Sequence, residues 1–220
     1  VDWNENNLMG YYQIDTQTGN VTPVLTRTKH GNLYGGHVWS RDGKTIFYGR
    51  RDGKANIFQV ISRDLKSGAE KVLYRSDGRF NISLSPDGQW LALIFLSKEK
   101  PRLIVMPAAG GEPRELCRFE EDDGFIFGSN CSITWTADGK YILFAMKDSK
   151  IDDPKWELCR IPIDGGELEK LGLKMSGSFF NLSAHPDGRH IAFSSRGQSG
   201  SEVWVMENFL PVDVASAAGK

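Results

Sequence analysis

Short apolar runs separated by polar turns recur along the whole chain. The clearest are residues 45–48, 90–95, 141–145 and 190–194. Each is too short for a helix. Their β-branched and aromatic residues suit a pleated strand. Each also follows an Asp-Gly pair, and each Asp-Gly pair follows another short run that alternates polar and apolar residues. Asp-Gly between two such runs predicts a tight hairpin, because Gly tolerates positive φ and Asp can accept nearby backbone N–H groups.

The hairpins belong to a larger repeat. Trp39-Ser40-Arg41-Asp42-Gly43-Lys44, Leu84-Ser85-Pro86-Asp87-Gly88-Gln89, Trp135-Thr136-Ala137-Asp138-Gly139-Lys140 and Ala184-His185-Pro186-Asp187-Gly188-Arg189 place their aspartates 45, 51 and 49 residues apart. A third strand follows in every unit, at 56–60, 102–106, 157–161 and 202–206. In the first three units a Gly-containing turn leads to a fourth strand, at 71–74, 114–117 and 168–171. That period fits one four-stranded blade per unit. The expected fold is therefore all-β: a β-propeller of four-stranded antiparallel blades, with about four and a half blades present.

The run of Trp-Ser-Pro-Asp-Gly-Lys-like turn, apolar strand, second strand ending near Met or Ile, then Gly-Gly-Glu and a short strand resembles the TolB-like, WD-type propeller repeat. The resemblance spans Leu8 to about Leu210. Expected units run approximately 1–30 (partial), 31–78, 79–125, 126–177 and 178–210 (partial), with a flexible tail at 211–220. The chain starts partway through a unit, with a third-strand-like segment at Gly10 to Asp15 and a fourth-strand-like one at Pro23 to Thr26. Two arrangements are open: closure on itself, with Pro23–Thr26 completing the last blade, or the C-terminal part of a longer bacterial propeller. The leftover third strand favours the second.

Composition excludes several classes. The chain has 220 residues, 27 basic and 28 acidic, with a formal net charge of -1. It carries no basic block of the kind that neutralises phosphates, so nucleic acid is not an expected partner. Its longest apolar run, Leu91 to Leu96, falls far short of the ~20 residues of a membrane span. The opening Val1-Asp2-Trp3-Asn4 lacks both Met and a signal pattern, and reads as a cut end. Cys117, Cys131 and Cys159 are too few and too scattered for a disulfide framework.

Candidate chemistry is sparse. First strands line a propeller's channel, and alternation separates two sets. Trp39, Leu84, Trp135 and Ala184, with His37, Ile82, Ile133 and Leu182, should pack between blades. Val38, Ser83, Thr134 and Ser183, with Gly36, Asn81, Ser132 and Asn181, should face the channel. Of these, Asn81, Ser83, Ser132, Thr134, Asn181 and Ser183 are the candidate contacts for a ligand or partner. The repeat aspartates are expected to serve their own turns, with equivalent turns far apart. His185 and His190 straddle one hairpin, but no third metal ligand stands at a clear spacing, so no metal is expected. His30 and His37 flank a Gly-rich loop. Gly197-Gln198-Ser199-Gly200-Ser201 fails the spacing of a nucleophile elbow. The double glycines at 110–111 and 165–166 are followed by Glu, which would repel phosphate. Glu120 to Asp123 reads as an acidic loop, and Asp148 to Trp156 as a lengthened loop that could carry specificity.

No cofactor and no catalytic residue are expected. The reading is a non-catalytic module that presents its channel mouth and loops to a protein or peptide, with a homodimer or further blades completing the ring. Two alternatives stand beside it: the accessory propeller of a peptidase of the prolyl oligopeptidase or tricorn class, and a carbohydrate- or metal-binding propeller. The family resemblance implies a periplasmic or extracellular location, with the cytoplasm as the alternative.

Overall fold

A computed structural model describes residues 10–26, 32–95, 101–119, 125–126, 132–148, 155–197 and 200–207. Among the described residues there are eighteen strands and no helix. β1 (Gly10–Ile14) and β2 (Val21–Thr26) form a two-stranded sheet. β3 (Asn32–Trp39), β4 (Thr45–Asp52), β5 (Ile57–Asp64) and β6 (Glu70–Ser76) form an antiparallel sheet in chain order. β7 (Phe80–Leu84), β8 (Trp90–Phe95), β9 (Arg102–Pro107) and β10 (Arg114–Arg118) repeat that plan. The next blade holds β11 (Phe125–Ile126), β12 (Ile133–Trp135), β13 (Tyr141–Asp148), β14 (Trp156–Pro162) and β15 (Glu169–Met175). Here the first strand is in two pieces, since β11 and β12 both pair with β13. The last sheet is β16 (Ser178–Ala184), β17 (His190–Gly197) and β18 (Gly200–Glu207).

The first strands lie side by side: β3 against β7, β7 against β12 and β12 against β16. Successive blades therefore stack face to face around an axis, and strand alternation feeds two separate cores from each blade. On β8, Leu91 and Leu93 join Phe47, Val60 and Met106 in the core shared with the preceding blade. Ala92 and Ile94 join Ile142, Phe144 and Cys159 in the core shared with the following one. Leu143, Ala145 and Leu158 meet Phe179, Ile191 and Phe193 on the next face. At the other end, Leu25 of β2 seats on Ile46, Tyr48 and Ile61. Each fully buried large apolar side chain contributes roughly 1.5–3 kcal/mol, so these faces dominate the stability of the stack. β18 presents Val203 and Val205, 79% and 65% exposed, on the outer face of the last sheet. Among the described residues β2 pairs with β1 and β18 with β17. The self-closing arrangement needs β2 beside β18, and no such pairing occurs among the described residues.

A half-buried polar group braces one blade's outer strands. Glu70 accepts from Tyr48 Oη at 2.8 Å and from Arg50 and Arg63 at 2.9 Å each. Burial works against ionisation of Glu70, but these three donors outweigh it and hold its carboxyl below the usual value.

Two first strands depart from simple alternation. β3 carries a register shift between Tyr34 and His37. His37 pairs regularly with Tyr48 yet is exposed, with its ring 4.0 Å from that of Tyr11 in the two-stranded sheet instead of packing between full blades. Val38, expected in the channel, packs against the core shared with the next blade. β16 shifts between Phe180 and Ser183, where Asn181 has a φ of 51°. The shift in β3 lies before His37, so His37, Val38 and Trp39 keep the register of Ile82, Ser83 and Leu84 in the next blade.

Candidate functional site

The four Asp-Gly hairpins share one backbone frame. In each, the residue two before the Asp donates its N–H across the turn: Ser40 to Thr45 O, Ser85 to Trp90 O, Thr136 to Tyr141 O and His185 to His190 O, at 2.8–2.9 Å. The Gly N–H returns to that same residue's carbonyl, and the glycines sit at φ of 68–75°. Only Gly adopts that left-handed conformation without strain.

Side chains complete three of the turns identically. The hydroxyls of Ser40, Ser85 and Thr136 donate to Asp42, Asp87 and Asp138 at 2.7, 2.5 and 2.6 Å. The same hydroxyls accept the N–H of Thr45, Trp90 and Tyr141 at 2.8, 2.9 and 3.1 Å. Each Asp also accepts the backbone N–H two residues on. The hydroxyl donors to Asp42 and Asp87 are the main reason that those carboxyls lie below their usual value. For Asp138 burial pulls the other way and is outweighed, chiefly by Thr136.

The fourth turn lacks the hydroxyl. His185 stands in its place, so Asp187 Oδ1 takes the amides of both Arg189 (2.8 Å) and His190 (3.2 Å). Oδ2 is left facing two imidazoles, with His190 Nδ1 at 2.5 Å and His185 Nδ1 at 3.1 Å. The Arg189 amide, ahead of the two imidazoles, holds the Asp187 carboxyl far below the carboxylate range. A third candidate ligand thus stands between the two histidines: the turn's own aspartate, hidden from a search for outside partners.

Each aspartate does serve its own turn, but the turns are not far apart. Arg41 Nη1 donates to Pro86 O in the next hairpin at 3.3 Å. A Cβ built on Gly139 would lie 3.8 Å from Pro86 Cδ, and one on Gly188 would lie 3.8 Å from Ala137 Cβ. The turns abut because they join the two strands of each blade nearest the axis. Basic side chains on the fourth strands make comparable ties to the later turn of the following blade. Lys71 Nζ donates to Ala109 O at 2.7 Å, and Arg114 donates to Ile163 O in the following blade.

Between these turns lies a cleft of about 480 Å³, lined by Arg41, Ser85, Pro86, Asp87, Trp90, Arg114, Ala137, Asp138, Gly139, Ile163 and Asp164. Three successive blades contribute to it. The sequence reading missed it, because the residues come from turns about 45–50 positions apart. The repeated turn motif was the one available signal.

Asn81 and Ser83 lie on β7, Ser132 precedes β12, Thr134 lies on it, and Asn181 and Ser183 lie on β16. The first four are half-buried and the last two exposed. They alternate with Ile82, Ile133 and Leu182, each 7% exposed. Asn181 Nδ2 donates to Ser194 Oγ in its own blade at 3.1 Å. Cys117 and Cys159 are free thiols, and burial pushes both up to about 12. Cys131, His30, Glu120 to Asp123 and most of the 148–156 loop lie outside the described residues.

Antiparallel sheets stacked about an axis, each with the same inner hairpin, make this a β-propeller. TolB from Acinetobacter baumannii matches it with a TM-score of 0.66 and 19% identity, covering 91% of this chain and 47% of that one. The β-propeller domain of the Trilobed protease from Pyrococcus furiosus matches at 0.59 and 15%, covering 89% and 58%. In sequence, human Coronin-7 is 28% identical over 138 residues, 62% of this chain. Dihydro-heme d1 dehydrogenase of Pseudomonas aeruginosa is 26% identical over 192 residues, 82% of this chain. The chain spans 14% and 34% of the lengths of those two relatives. No family model matches.

Proposed function

We propose that this chain is a non-catalytic binding module whose hairpin rim receives a segment of a protein or peptide partner. The cleft between the turns supports the reading. Its volume lies in the range of roughly 300–1,000 Å³ usual for ligand pockets. It offers a half-buried indole (Trp90), two guanidinium groups (Arg41 and Arg114) and the carboxylates of Asp87, Asp138 and Asp164. That mixture suits a peptide carrying an apolar anchor flanked by both charges. The walls are tight turns on a stacked scaffold, so little ordering is needed on binding. The polar residues of the first strands, Asn81, Ser83, Ser132, Thr134, Asn181 and Ser183, form a second contact zone along the axis. The exposed Val203 and Val205 mark the face where a second copy or further blades continue the stack. The TolB-like resemblance carries a periplasmic or extracellular location with it.

The test is selection of peptides from a random display library on the immobilised chain. Ala137→Arg, which fills the cleft, is expected to weaken selected peptides at least tenfold while urea midpoints stay close to wild type. Failure to select any peptide, or equal binding to the variant, overturns the reading. The runner-up, an accessory propeller of a peptidase, draws on the likeness to the Trilobed protease propeller. It predicts that the chain slows or gates cleavage when joined to a hydrolase domain, and that it selects no peptide alone.

A further inference from the structure

We propose that the fourth hairpin, His185-Pro186-Asp187-Gly188-Arg189-His190, is a binding site for a borderline divalent cation such as Zn²⁺. His185, Asp187 and His190 each bring one ligand atom to within 4.8 Å of the others. The set of two imidazole nitrogens and one carboxylate oxygen is the donor chemistry that Zn²⁺, Co²⁺ and Ni²⁺ prefer.

The local geometry holds the donors close together. His185 Nδ1 accepts the Asp187 N–H at 3.2 Å and lies 3.1 Å from Asp187 Oδ2. His190 Nδ1 reaches the same oxygen from the other side at 2.5 Å. The three donor atoms are thus already gathered in one hairpin, where a cation would replace these contacts with metal–ligand bonds. Metal–ligand bonds of about 2.0–2.2 Å require somewhat wider donor spacing. Small side-chain rotations supply it, because His185 is 62% exposed. The Asp187 Oδ1 bonds to two backbone amides would hold the carboxylate in place as a second shell does. Three ligands from the chain leave one position open to water or to a group on a partner.

The sister turns make the departure specific. The position of His185 is Ser40, Ser85 and Thr136 in the other three, and that of His190 is Thr45, Trp90 and Tyr141. Both changes occur in the same hairpin and use two of the four histidines in the chain. This inference does not depend on the cleft, and each can fail without the other.

The test uses the untagged full chain, titrated by calorimetry with Zn²⁺ and, as an optical probe, with Co²⁺. One equivalent should bind, without the near-ultraviolet charge-transfer band that thiolate ligation gives. His185→Ser, which restores the hydroxyl of the sister turns, should weaken binding at least tenfold while the fold is kept. His190→Tyr, which copies Tyr141, should do the same and serves if the first variant misfolds. No saturable binding, binding that survives both substitutions, or a thiolate band with Co²⁺ would each overturn the proposal.

Discussion

Three of the four hairpins bind their aspartate with a hydroxyl, and the fourth surrounds it with two imidazoles. The backbone is the same in all four, down to the left-handed glycine and the returning N–H. In the first three, the hydroxyl relays: it gives a proton to the Asp and takes the amide at the start of the next strand. In the fourth, the Asp takes that amide itself, and its Oδ2 faces the two imidazoles. The difference shows that the turn geometry is secured by the chain's own frame. The side-chain layer on top can be exchanged for other chemistry without disturbing the stack.

The comparison can be broken most forcefully at Thr136, which is 1% exposed. Thr136→Val keeps the shape but strips Asp138 of its hydroxyl donor and the Tyr141 amide of its side-chain acceptor. It should cost about 2 kcal/mol by urea denaturation. A smaller effect is expected from Asp87→Asn, at about 1 kcal/mol, as charge-assisted bonds become neutral ones. Asp87 also tests the sign of the pH dependence. Its carboxyl lies below 3.8 when folded, so its stabilising contribution is present above that value and is lost as pH falls through the lower folded one. Asp87→Asn should therefore flatten the acid side of the stability curve, as read by unfolding midpoints across acidic buffers.

Transplanting the fourth turn's side chains sharpens the contrast further. Ser40→His with Thr45→His should raise the stoichiometry of Zn²⁺ binding from one to two, if the donor pair and the turn aspartate are sufficient. The smallest expected effect is that of His185→Ser on stability without metal, within about 0.5 kcal/mol. A loss as large as that at Thr136 would mean that the imidazoles hold the fourth turn up.

Much of the architecture could be read beforehand. Four Asp-Gly turns in register, each followed by an apolar strand, implied stacked four-stranded sheets. Alternation placed Ile82, Ile133 and Leu182 inward, because a regular strand must alternate. It failed at His37, which meets only the two-stranded sheet through Tyr11, and at Val38, an apolar residue that packs against a core from the position polar in the other blades. Of the candidate site, the histidine pair was visible, but Asp187 had been assigned to its turn and was not considered as their shared partner. Two-fold alternation does not say what stands opposite a face, and spacing along the chain does not reveal what a carboxylate's second oxygen faces.

The order of strands, the hairpin type and the two-faced burial of each sheet follow from local patterns: turn residues with a required φ, and apolar side chains repeating every second position. Contact between one blade's turn and the next, the cleft of Arg41, Trp90, Arg114 and Asp164, and the ties from Lys71 and Arg114 were decided only in three dimensions. Stacking around an axis brings together residues nearly fifty positions apart. Nothing in a local pattern sets the angle at which one sheet meets another.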